Sequence, residues 1–182
     1  MKRTLATLTI LLVSAAVSAG QEHKETGQTP QGWIKYTSAE GRYNVSLPQQ
    51  PTLSTEETTA STGEKLPQYM ALVTEGNGGY MVAYFDYPSD MTFSLDKARS
   101  GMVEGIHGTL IGEESISLGG SPGRQVRIEA KYSSGEVFID RVRFYDVNRR
   151  IYVLQCIVPK TEAVNQCEKF FDSFKVETRP AP

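Results

Sequence analysis

The sequence predicts an α+β domain, a mainly antiparallel twisted sheet flanked by helices. Three observations carry this expectation. Several stretches alternate apolar and polar residues with a period of two and end at Gly, Pro or Asn. Residues 80–87 and 151–158 are apolar on both faces, as interior strands covered on each side must be. Two further stretches repeat apolar residues at helical spacing.

The chain opens with Lys2 and Arg3, followed by an apolar run over residues 5–17 broken only by Thr7, Thr9 and Ser14. Val17-Ser18-Ala19 then matches the small-residue pattern of a signal-peptidase site, so residues 1–19 read as a signal peptide cleaved after Ala19. The run is well short of the ~20 residues a spanning helix needs, so no transmembrane span is predicted in the mature chain. Residues 20–31 are polar and aperiodic, a flexible leader. Residues 32–177 read as one globular domain, with residues 178–182 a short tail.

Within the domain, Tyr43, Val45 and Leu47 alternate as in a strand, which Pro48 and Pro51 then stop. Residues 58–62 and 66–74 read as two strands, and Asn77-Gly78-Gly79 as the turn before the strand at 80–87. After Pro88 the period changes. Leu95, Ala98, Met102, Val103 and Ile106 define a helix that Gly108 ends, with Gly101 and Gly105 placed for close approach to the sheet. Residues 109–158 read as four antiparallel strands punctuated by Gly119-Gly120 with Pro122-Gly123, by Ser133-Ser134-Gly135 and by Asn148-Arg149. A last helix starts at Thr161, with Ala163, Val164, Cys167, Phe170, Phe171 and Phe174 on its apolar stripe.

Loss of the signal would leave 163 of the 182 residues, and 17 of the 19 Lys and Arg side chains against 21 carboxylates. That mild acidity gives no footprint for nucleic acid. Cys156 and Cys167 fall in the last strand and the last helix. Two readings fit them: a disulfide closing a loop of about a dozen residues, or two buried thiols. Two cysteines and two separated histidines supply no tetrahedral ligand set, so neither a metal nor a cofactor is predicted.

No catalytic constellation emerges from the spacing. His107 stands at a helix C-terminus, where a charge–dipole contact accounts for it, and no nucleophile elbow accompanies it. Asp140 falls between Phe138, Val142 and Phe144 on a buried face, where a salt bridge to a neighbouring Arg or a place at the sheet rim would accommodate it. Arg141 and Arg143, with Arg127, Glu129 and Lys131, read as one mixed-charge, partly wet face that could meet an anionic partner. Asp140, Arg141, Arg143 and His107 are therefore weak candidate site residues.

Gly32-Trp33-Ile34-Lys35-Tyr36, Gly41-Arg42-Tyr43-Asn44-Val45 and Leu47-Pro48 with Pro51 resemble the opening of exported PsbP-like and DcrB-like domains. Phe170-Phe171-Asp172-Ser173-Phe174 resembles the terminal helix of that group. The resemblance implies an α/β/α sandwich of the Mog/PsbP type and an accessory or binding protein of the cell envelope rather than an enzyme. Photosystem subunits of that group associate with a membrane complex, and Mog-type relatives bind a small GTPase. It carries over no functional residue.

The expectation is a non-catalytic, periplasmic or secreted domain whose partner is another envelope protein. One alternative is a carrier of a small apolar ligand in a cavity lined by Phe138, Phe144, Phe170 and Tyr side chains. Another is an enzyme built on Asp140 or His107.

Overall fold

The two stretches that are apolar on both faces lie side by side at the centre of the molecule. The computed structural model describes residues 3–4, 32–59, 63–131, 135–161 and 165–177. Apart from residues 3–4, the predicted signal peptide, leader and tail lie outside these. The early strands are β1 (Arg3–Thr4), β2 (Ile34–Ser38), β3 (Tyr43–Leu47), β4 (Thr52–Thr59), β5 (Lys65–Glu75), β6 (Gly78–Asp86) and β7 (Met91–Thr92). Helix α1 (Leu95–Gly105) precedes β8 (Thr109–Leu118), β9 (Ser121–Lys131), β10 (Val137–Val147) and β11 (Arg150–Pro159). Helix α2 (Asn165–Ser173) and β12 (Lys175–Val176) close the domain.

Seven strands form the main sheet in the order β4-β5-β6-β11-β10-β9-β8, every neighbouring pair antiparallel. Two meanders, β4–β6 and β8–β11, are thus joined through α1 and meet where β6 pairs with β11. A second sheet, β12-β3-β2, is separate. The two-residue β1 lies parallel to β7 and belongs to the stretch that cleavage after Ala19 would remove.

Strand alternation sorts side chains into two cores. On one face Ala98 and Met102 of α1 and its C-cap Ile106 pack on Met81, Ala83, Phe85, Val126, Ile128, Val142, Phe144, Ile151 and Val153. On the other, Cys167, Phe170, Phe171 and Phe174 meet Val82, Tyr84, Tyr152, Leu154 and Cys156, joined by Tyr43, Val45 and Leu47 of β3. Alternation marks residues 43–47 as a strand, and a single sheet is expected. They belong instead to the second sheet, so the layer covering this face is a helix plus three strands rather than a helix alone. The chain is α+β and mainly antiparallel, and richer in sheet than a helix-flanked sandwich.

Cys156 and Cys167 form a disulfide with Cα atoms 5.7 Å apart, tying β11 to α2 across this second core. Ser173 reinforces the layer, its Oγ accepting from Ser46 N at 2.8 Å. Trp33 plugs the edge of the same core, edge-on to Tyr80 at 5.2 Å and capped by the Lys169 ammonium.

Local signals resolve with some shifts. β4 begins at Thr52, directly after Pro51, rather than at 58, and residues 60–62 lie outside the described ones. The turn after β5 is Gly76-Asn77, with Gly78 and Gly79 inside β6. A Cβ on Gly78 would stand 2.2 Å from the Ile157 carbonyl oxygen, so close strand approach explains that glycine. Pro122 and Gly123 are also strand residues; the turn is made by Gly119 and Gly120. Asn148 and Arg149 both take positive φ, as a two-residue hairpin loop between twisted strands requires. Ser133, Ser134, Ala163 and Val164 lie outside the described residues.

Helix α1 starts at Ser94, whose Oγ accepts from Lys97 N. Its end is a Schellman motif: Gly108 N donates to Val103 O and His107 N to Glu104 O, each at 3.1 Å. The left-handed position is taken by His107 (φ 51°), where glycine is usual. Gly108 is there for space, since a Cβ would stand 2.4 Å from Ile128 Cγ2.

Two stability predictions follow from these contacts. His107→Gly relieves left-handed strain and should stabilise the fold by about 1 kcal/mol, whereas Gly108→Ala should weaken it; urea unfolding measures both. Replacing Cys156 and Cys167 together by Ala should cost about 3 kcal/mol relative to the oxidised protein, and reductant should then leave the variant's midpoint unchanged.

Candidate functional site

Adjacent strand residues face opposite ways, and this divides the candidate residues among different environments. Asp140 points to the α1 face and is wholly buried. Arg141 cannot reach it, because Arg141 faces α2. The predicted salt bridge and the predicted rim position are both replaced by a hydrogen bond from Gln155 Nε2 to Asp140 Oδ2 at 2.6 Å. Asp140 Oδ1 has no partner among the described residues. Burial pushes the carboxyl up to about 7, opposed by the Gln155 hydrogen bond. His107 is exposed at the end of α1, so it shares no site with the arginines on the other face.

Arg141 and Arg143 lie under α2 rather than on a wet face. Arg141 is 6% exposed and donates through Nη2 to Glu168 at 2.6 Å. Arg143 reaches Glu168 and Asp172 more loosely, both at 3.4 Å, and donates from Nε to Gln125. Both guanidiniums stack over Phe171, at 5.7 and 4.6 Å from its ring centre. The aromatic ring that the strand pattern lacks is supplied by the helix.

Two concave regions flank the α2 layer. Beside β8 and β9 a cavity of about 310 Å³ is lined by Gly112, Glu113, Glu114, Gln125, Arg127, Arg141 and Glu168. Beside β4 and β5 a groove of about 340 Å³ is lined by Tyr36, Tyr43, Leu53, Tyr69 and Tyr84, among others. Leu53 is 64% exposed and Tyr69 37%, both unusual for side chains of their size. Tyr69 stacks on Tyr84 at 5.0 Å, and Arg150 lies over Tyr84 at 4.7 Å. Asp86 holds Arg150 in a two-pronged pair, both bonds 2.7 Å, and that pairing draws the Asp86 carboxyl below its ordinary range. No local signal in the sequence marks this groove, because its lining comes from five strands, β2 to β6, that two different sheets bring together.

The predicted ligand cavity is not formed by its proposed residues. Phe144 belongs to the α1 core and Phe170 to the α2 core, so the sheet stands between them. Among the described residues no group of three or more His, Cys, Asp or Glu could hold a metal ion, and no helix is long and apolar enough to cross a membrane.

No protein-family model matches the chain, and no curated protein matches it in sequence. Its fold does find matches. The solution structure of cyanobacterial PsbP (CyanoP) from Synechocystis sp. PCC 6803 aligns with a TM-score of 0.55 at 11% identity, covering 86% of this chain and 98% of that one. A crystal structure of PA94, a Pseudomonas aeruginosa protein of unknown function, aligns over 84% of this chain and 99% of that one, at 11% identity and a TM-score of 0.41. The chain has the PsbP-like α+β fold that the resemblance implies. At this identity the likeness is one of fold, and function has to be argued from the side chains.

Asp140 gives a pH prediction. An unfolded aspartate releases its proton near ~3.9, whereas the folded one keeps it up to about 7. The folded state therefore binds more protons in that interval, and stability falls as pH rises through it. Asp140→Asn keeps a polar group for Gln155 without the charge. It should abolish a loss on the order of a few kcal/mol between about pH 4 and pH 7, seen as a flatter midpoint-versus-pH curve in urea.

Proposed function

We propose that this chain is an exported, non-catalytic domain that binds another protein of the cell envelope through the aromatic groove beside β4 and β5. One observation carries the reading: Leu53 and Tyr69, two large apolar side chains left exposed, converge on one groove with Tyr36 and Tyr84. Exposed apolar clusters of this kind mark interaction surfaces. β4 is also an outermost strand of the main sheet, so its outer edge offers backbone groups to an extended segment of the partner. Tyr69 and Tyr84 would supply pockets for alternate side chains of that segment.

Export is supported by the signal-like residues 1–19 and by the disulfide, which persists in oxidising compartments. The finer α/β/α sandwich comparison with Mog/PsbP domains belongs to the same reading, with the three-stranded sheet as an addition to the second layer.

A photocrosslinking amino acid at position 53, in the full chain expressed in its native envelope, should give one discrete adduct. The same probe at Ser117, on the opposite edge of the sheet, should not. Tyr69→Ser should abolish the adduct while shifting stability little, because the ring is partly exposed. A probe at 53 that yields only the free protein defeats the proposal.

A further inference from the structure

We propose that the cavity between β8, β9 and α2 binds a small oxyanion, a carboxylate or phosphate group held between Arg127 and Arg141. This site lies across the α2 layer from the aromatic groove and does not depend on it. Arg127 and Arg141 are direct cross-strand partners in the antiparallel β9–β10 pair, facing the same way. Like charges placed directly opposite destabilise a sheet unless something negative lies between or beside them.

The neighbouring carboxylates do not complete the match. Glu168 is shared between Arg141 and Arg143. Glu114 accepts from Gln125 Nε2, while Gln125 Oε1 accepts from Arg143. Glu129 pairs with Lys160 at 2.7 Å, and Glu113 with Arg99 and Arg124. Among the described residues no ion pair holds Arg127. Arg141, nine-tenths buried, lines the cavity, and its buried Nε has no acceptor among the described residues. A buried donor left unpaired is costly enough to be a rarity that calls for a partner.

The backbone has made room for Arg127. It is paired in register with Gly112, and a Cβ there would stand 2.6 Å from Arg127 Nη2. A side chain at 112 would push the guanidinium, the movable end of an exposed residue, away from β8. The cavity, about 310 Å³, is at the small end of ligand sites, which suits a small anion or the acidic end of a larger molecule. Two guanidiniums offer the planar, forked donors that carboxylates and phosphates accept.

The test follows the side-chain Nε–H signals of the full chain by NMR during titration with inorganic phosphate and, separately, with acetate, against sodium chloride at equal ionic strength. Saturable shifts of the Arg141 and Arg127 Nε–H signals with either oxyanion, absent with chloride, are expected. Saturation by phosphate alone or by acetate alone identifies the preferred group. Arg127→Gln, at an exposed position, should weaken binding at least about tenfold, and Gly112→Ala should weaken it by displacing Arg127. Non-saturating shifts with both anions, or equal affinity in the wild type and Arg127→Gln, overturn the proposal.

Discussion

The structure depends on one constraint: β11 is buried along both faces, so the sheet must be covered on both sides. Seven strands leave six intervals of roughly 4.8 Å, a sheet about 29 Å across. A helix with its side chains is only about 10 Å wide. Neither α1, of 11 residues, nor α2, of 9, can roof such a sheet alone. On the α2 face the shortfall is met by β2, β3 and β12, whose Tyr43, Val45 and Leu47 enter the same core as Phe170 and Phe174. The second sheet is therefore a consequence of burying β6 and β11 with short helices.

That solution covers the middle of the face and leaves both flanks open. What each flank presents is set by the residues on the matching parity of the outer strands. β4 and β5 bring Leu53 and Tyr69, so one flank is aromatic. β9 and β10 bring Arg127, Arg141 and Gln125, so the other is charged. The same scaffold thus offers two surfaces of different chemistry, one suited to an apolar extended segment and the other to an anion.

Much of this frame was legible in the sequence. Apolarity on both faces identified residues 80–87 and 151–158 as interior, and they proved to be neighbours. Asn148-Arg149 and Gly119-Gly120 marked hairpins correctly because their positive φ values are a local demand. The Phe170, Phe171 and Phe174 stripe identified the buried side of α2. What escaped was non-local. Nothing in residues 43–47 says which sheet they join, since alternation fixes a strand's inner face and not its partner. Both flanking cavities depend on which outer strands lie beyond the reach of α2. Asp140 was correctly placed on a buried face, but its partner, Gln155, is on a strand whose register the sequence does not specify.

Asp140 and Arg141 show how topology decides electrostatics. They are chain neighbours of opposite charge, and strand alternation keeps them from meeting. Asp140 is left to a neutral amide, whereas Arg141 obtains a carboxylate from another element. That carboxylate belongs to Glu168, the residue after Cys167, whose disulfide fixes α2 to β11. Because β11 is also hydrogen-bonded to β10, which carries Arg141, the covalent link and the ion pair hold one corner of the molecule. The bond that stabilises the second core therefore also sets the position of the acid that partly neutralises Arg141, leaving its Nε as a donor with no partner among the described residues.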